Sequence, residues 1–180
     1  MAYGILLLRL VLGLTMAAHG AQKLFGWFGG PGPRGVGGFV SSLRFRTPFV
    51  TGLALGTAEL AGGTLLAAGL VVPFAALLVA VVMLNAIALA HWRNGFWNGN
   101  GGLEFPLLVW AGAVSLAATG GARFSLDAAL GWADNLSGVW WGVGVAVVGA
   151  LVSLLTLTLW RRPETPAALP EVKTQASRAA

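Results

Sequence analysis

The 180 residues include no cysteine, one tyrosine, two histidines and only 9% charged side chains. Without cysteine the chain forms no disulfide, thiolate nucleophile, zinc–thiolate centre or cysteine-ligated iron–sulfur cluster, so any redox chemistry it joins needs a bound cofactor or a partner. A soluble domain carries about 25% charged residues. Here 57% of residues are hydrophobic and the mean hydropathy is +0.79, which describes a chain dissolved in a lipid bilayer. At about 20 apolar residues per crossing, this length holds four or five spans with short loops and no separate soluble catalytic domain. The net charge of +5 does not point to nucleic acid, because the basic residues are spread between apolar runs and do not line one soluble face.

Five apolar runs predict an all-α integral membrane bundle, with spans over residues 3–24, 49–70, 73–91, 104–119 and 139–160 in one transmembrane domain, 1–160. The first run lacks a basic leader and a small-residue cleavage site, and reads as a retained helix. Residues 39–46 suit a short interfacial helix ended by Pro48, and the glycine-rich stretches 26–35 and 98–102 read as turns. Pro73 and Pro106 fit the first turns of helices, where a missing N–H is harmless. Residues 161–180, rich in proline and alanine, are expected to be a disordered tail.

With five crossings, one side collects Lys23, Arg34, Arg44, Arg46, Arg93, Arg161, Arg162, Lys173 and Arg178, whereas the other has Arg123 alone outside the helices. The positive-inside rule makes the first side cytoplasmic, with the N-terminus outside, the tail inside and the protein in the inner membrane. Trp27, Trp92, Trp97 and Trp160 fall at one boundary and Trp132, Trp140 and Trp141 at the other, as interfacial belts do.

Ionisable side chains at membrane depth are expensive, so Arg9, His19, Glu59, His91 and Glu104 are the candidates for function. At about 1.5 Å per residue, Arg9 lies about 8 Å from the outer end of the first helix, Glu59 about 16 Å down the second and His19 about 22 Å down the first. Gly13, Met16 and Gly20 share a face with Arg9 and Lys23, so the first two spans should pack through that face, aided by Gly62 and Gly63. Two readings follow. In one, Arg9 and Glu59 form a buried ion pair that only fixes packing. In the other, His19, His91 and Glu104 form a polar layer, with Glu59 deeper and Gln22 and Lys23 at its mouth, able to bind a quinone head group or relay protons. The paired Glu-x-x-His pattern of di-iron bundles is missing, and no metal site is assigned.

The order Leu8-Arg9-Leu10-Val11-Leu12-Gly13, His19-Gly20-Ala21-Gln22-Lys23-Leu24-Phe25-Gly26, Glu59-Leu60-Ala61-Gly62-Gly63, Gly101-Gly102-Leu103-Glu104-Phe105-Pro106 and Arg123-Phe124-Ser125-Leu126-Asp127 resembles the DoxX family over about residues 4–130. The resemblance implies a four-helix core, to which this chain adds a fifth span, and marks Arg9, His19, Gln22, Lys23, Glu59, Glu104 and Asp127 as motif positions. It also implies a membrane subunit of a quinone-linked redox assembly concerned with thiols, sulfur or oxidative stress, with a redox protein as partner and quinone as the cofactor to expect. No catalytic residue is assigned. The alternatives are a small-molecule or proton-coupled carrier titrating at Glu59, and a non-catalytic scaffold. Gly142, Ala146, Gly149 and Ala150 on the fifth span suit either packing within the chain or self-association.

Overall fold

A computed structural model describes residues 1–162; the expected disordered tail from residue 163 onward lies outside the described residues. Seven α-helices follow one another: α1 (Ala2–Phe25), α2 (Gly32–Ser42), α3 (Pro48–Ala68), α4 (Val72–Ala86), α5 (Glu104–Thr119), the four-residue α6 (Leu126–Ala129) and α7 (Val139–Leu159). A π-turn, Ile87–His91, and a 3-10 turn, Trp92–Asn94, prolong α4. Four of these helices, α1, α3, α7 and the prolonged α4, are long and apolar enough to cross a membrane, while α5 has 16 residues. The bundle is all-α, with one isolated β-bridge and no strand among the described residues.

The glycine pattern sets the closest helix pair. A Cβ at Gly13 would fall 2.6 Å from Ala67 N and Gly63 O, and one at Gly20 would collide with Leu60 N and Gly56 O. Backbone therefore lies against backbone along the antiparallel α1–α3 seam, which is what small residues permit in lipid. Gly63 serves this seam, whereas Gly62 faces Ala75, Leu78 and Val79 of α4. α1, α3, α4 and α5 close a four-helix ring, α2 packs outside α3, and α7 packs outside on α4 and α5. Two of the small residues of α7 pack within the chain: Gly142 lies against Val114 and Ala118, and Gly149 against Leu77 and Ala80.

The loops show which ends lie together. Gly138 N–H donates to Ala118 O, joining the start of α7 to the end of α5. Arg46 N–H donates to Trp160 O and Arg162 N–H to Arg44 O, joining the end of α7 to the segment before α3. Arg161 and Arg162, expected at the head of the disordered tail, are instead held in this bridge. α2 also departs from expectation. It starts at Gly32 and ends at Ser42, so residues 32–35, read as a turn, are its first turn. Pro33 there needs no N–H partner, and burial of Val36 and Val40 against α3 offsets the low helix propensity of its glycines.

The turn between α3 and α4 is built on two buried charges. Arg9, 1% exposed, donates from Nε to Leu66 O (3.2 Å), from a terminal guanidinium nitrogen to Ala67 O (3.0 Å), and also to Gly121 O. Its guanidinium fills the place of a side chain at Gly69, whose φ of 69° itself favours glycine. Asp127, fully buried, accepts from Val71 N (2.7 Å) and Val72 N (3.1 Å). A cation thus caps the C-terminus of α3 and an anion the N-terminus of α4, each matched to the helix dipole. Val71 has a φ of 44°, costly for a β-branched residue, and its bond to Asp127 holds it there. Asp127→Ala orphans two buried N–H groups and is expected to lower stability by about 3 kcal/mol, with a smaller loss for Asp127→Asn, which keeps one acceptor. Denaturant titration of the purified protein in detergent micelles checks this; equal losses in both variants would show that the two accepted bonds are not the source.

Candidate functional site

Away from that turn, the first half of α3 and the last half of α4 stand apart around a cavity of about 490 Å³. Its walls are mostly apolar: Leu55 and Ala58 from α3, Val82, Ala86 and Leu89 from α4 and its π-turn, Phe105 and Pro106 from α5, and Phe39, Val40 and Phe45 from α2 and the residues after it. The packed core lies toward the α3–α4 turn, where Leu66, Val72, Val79 and Leu116 are buried. The cavity occupies the opposite part of the bundle. A π-turn widens a helix locally and often marks a functional site; here it contributes Leu89, Ala90 and His91 to the wall.

Four of the seven residues expected from sequence line this space: His19, Lys23, Glu59 and His91. Lys23 Nζ donates to Glu59 Oε2 at 2.5 Å, and the Glu59 side chain is 4% exposed. The half-buried ring of His19 sits with its centroid 5.9 Å from that of Phe105. His91 Nδ1 lies 2.7 Å from Gly101 O, which ties the π-turn to the following loop. The other three residues lie elsewhere. Gln22 Nε2 donates to Phe28 O, and Glu104 Oε2 accepts from Asn98 N at 2.9 Å, so each fixes a turn. Arg9 belongs to the carbonyl cluster at the far turn.

The expected Arg9–Glu59 pair is corrected by the helix register. With Gly13 against Gly63 and Gly20 against Gly56, Arg9 is level with the C-terminus of α3, and Lys23 is the cation within reach of Glu59. Depth along the helices places Glu59 between two cations without choosing; the interlocking glycines choose.

Two further wall residues carry polar atoms that sequence reasoning missed. Thr51 Oγ1 and Asn85 Oδ1 are buried atoms without a hydrogen-bond partner. Asn85 Nδ2 donates to Val81 O (2.9 Å) and Ser153 Oγ (3.2 Å). Because Val81 O can only accept, the amide orientation is fixed and Oδ1 is an acceptor left over. The helical spacing of Thr51, Leu55, Ala58 and Glu59 carried the signal for Thr51, since one face of α3 bears all four. An apolar cavity with donors at His19, Lys23 and Thr51 and acceptors at Glu59 and Asn85 suits an amphiphile with a small polar head.

Fold and cavity together define a multi-pass helical membrane protein with a cavity between its helices. Residues 4–92 match the family model described as DoxX, and the chain is a membrane protein of the DoxX family. The matched segment runs from α1 to the π-turn after α4 and holds His19, Lys23, Glu59 and His91; the stretches at Glu104 and Asp127 lie beyond it. No curated protein and no solved structure matches the chain.

Proposed function

We propose that this protein is an inner-membrane subunit of a redox assembly that holds a quinone in the cavity between α3 and α4, with its N-terminus outside and its C-terminus in the cytoplasm. The observation that carries the reading is one space joining apolar walls to His19, Lys23 and Glu59. The donor set fits the group: a quinone ring offers two carbonyl acceptors, and the cavity offers His19, the Lys23 ammonium and the Thr51 hydroxyl, whose Oγ1 is otherwise unpartnered. When bound, a quinone supplies two-electron, two-proton acceptor chemistry, and a partner protein supplies the electrons. The chain itself would orient the ring, with His19 and Lys23 donating to a ring oxygen, Glu59 holding the Lys23 ammonium in place and Leu55, Val82 and Phe105 excluding water. The arginines at the end of α7 and before α3 favour a cytoplasmic placement for that end.

The test is purification in mild detergent, mass spectrometry of extracted quinones, and titration with a short-tailed quinone. Binding is expected in the micromolar range, weakened at least about tenfold, or about 1.4 kcal/mol, by His19→Ala. Absence of both copurifying quinone and measurable binding would refute the reading.

A further inference from the structure

The isolated bridge between Phe45 and Arg161 gathers Arg44, Arg46, Arg161 and Arg162 at one end of the bundle. Its two hydrogen bonds, Arg46 N–H to Trp160 O (3.0 Å) and Arg162 N–H to Arg44 O (2.9 Å), flank Phe45 and Arg161 and hold the two segments side by side. Side chains alternate across such a ladder, and the burial follows that alternation. Phe45 is buried in the cavity wall and Arg161 is half-buried, its Nε donating to Leu43 O at 2.9 Å. Arg46, Trp160 and Arg162 are exposed on the other face, and Trp160 Nε1 donates to Thr47 Oγ1 at 3.1 Å, which locks the indole beside Arg46.

The like charges of Arg46 and Arg162, placed this closely, repel one another, and residues 45–48 and 159–162 contain no carboxylate. Of the described carboxylates at this end, Glu59 is bonded to Lys23 and Glu104 to the Asn98 N–H. Exposed apolar surface continues directly from the clip into the membrane-crossing part of both helices: Phe49 (53%) and Val50 (61%) on α3, Leu155 (54%) and Leu159 (61%) on α7. α7 packs on α4 and α5 whereas α3 packs on α1, α2 and α4, and these apolar side chains of α3 and α7 are turned outward next to the clip.

We propose that this clip is the headgroup site of an anionic phospholipid. The phosphate is held by the guanidinium forks of Arg46 and Arg162 beside the Trp160 indole, and the acyl chains lie along the exposed apolar side chains of α3 and α7 next to the clip. Guanidinium groups match phosphate oxygens bidentately, basic clusters at the membrane face bind acidic headgroups, and only an anion carrying its own hydrocarbon meets both the arginines and the leucines. Arg46, Trp160 and Arg162 are outside the cavity lining, so the headgroup site does not rest on the quinone reading. It also gives α7 a use, since the arginines at its end complete the clip.

The full-length protein in mild detergent is compared with added phosphatidylglycerol, phosphatidylcholine of the same acyl chains, or inorganic phosphate, reading thermal midpoint and native-mass-spectrometry adducts. Phosphatidylglycerol is expected to raise the midpoint by several degrees and to remain as a one-to-one adduct, while the other two do neither. Arg46→Gln with Arg162→Gln should remove that increment and the adduct while retaining the lipid-free midpoint. Equal stabilisation by phosphatidylcholine overturns the proposal, as does reproduction of the shift by inorganic phosphate, or an increment that survives in the double variant. The comparison of lipids on the unaltered protein is decisive even if the double variant does not fold.

Discussion

Replacing Gly63 by leucine is expected to leave no assembled bundle. A Cβ at this position would collide with Ala17 N and Gly13 O and would lie 2.9 Å from Met16 C, all of them backbone atoms of α1 that cannot rotate aside. Relief requires α1 and α3 to move apart along their whole length, which also parts Gly20 from Gly56. In lipid, helix association depends on close packing because the hydrocarbon competes for apolar surface. Gly63→Ala should already cost about 2 kcal/mol or more, and leucine exceeds what overpacking usually allows. Gly144→Leu is the control, since a Cβ there meets nothing within 4 Å. Fluorescence-detected size exclusion of the tagged protein from membranes reads both: a monodisperse peak for Gly144→Leu and its loss for Gly63→Leu. A Gly63→Leu peak of normal height and thermal midpoint would contradict the seam.

The second large effect is expected at Lys23 and Glu59. Glu59→Ala leaves Lys23, whose side chain is 21% exposed, in an apolar wall without its partner, a change that costs about 3–5 kcal/mol when one member of a buried pair is removed. Glu59→Leu combined with Lys23→Met removes both charges and should recover most of that loss, because a well-packed apolar pair often replaces a buried ion pair without penalty. Stability and ligand binding should then separate: the double variant folds like the unaltered protein but loses the short-tailed quinone. Thermal midpoints and titration on the same preparations check this. If the double variant were as unstable as Glu59→Ala, the loss would stem from shape and not from the stranded charge. If it bound quinone normally, the pair would be a packing device and the scaffold reading would gain the ground.

The helices of the bundle fall on the five apolar runs because a run of that length and composition has few other ways to satisfy its backbone in lipid. Helix α2 is legible only in part. Its glycines mask it locally, and it exists because Val36, Val40 and the later Phe45 find a buried surface that the rest of the chain supplies. Within the candidate site, His19, Glu59 and His91 stand out in the sequence because each is costly at membrane depth, Lys23 because it sits at the mouth beside them, and the fold brings these four to one cavity. Arg9 is equally costly, but its partners are carbonyl oxygens of Leu66, Ala67 and Gly121. Every residue carries a carbonyl, so no sequence pattern marks such a partner. Asn85 and Thr51 escape for a related reason: an unbonded Oδ1 or Oγ1 is a property of the assembled wall, not of the residue type.

The brevity of α5 bears on how protons could reach the interior. Sixteen residues rise about 24 Å, against about 30 Å of hydrocarbon in an ordinary bilayer. The mismatch is met by local thinning of the lipid or by drawing the aqueous boundary inward at that helix. The first turn of α5 supplies Phe105 and Pro106 to the cavity, and the polar stretch 92–103 precedes it. If the boundary moves in at the first turn of α5, water on this flank stands nearer to His19 and Glu59 than it would beside a helix of full length. On the proposed function, that flank would offer protons a shorter approach to the charged end of the cavity than the longer α1, α3 and α7 do.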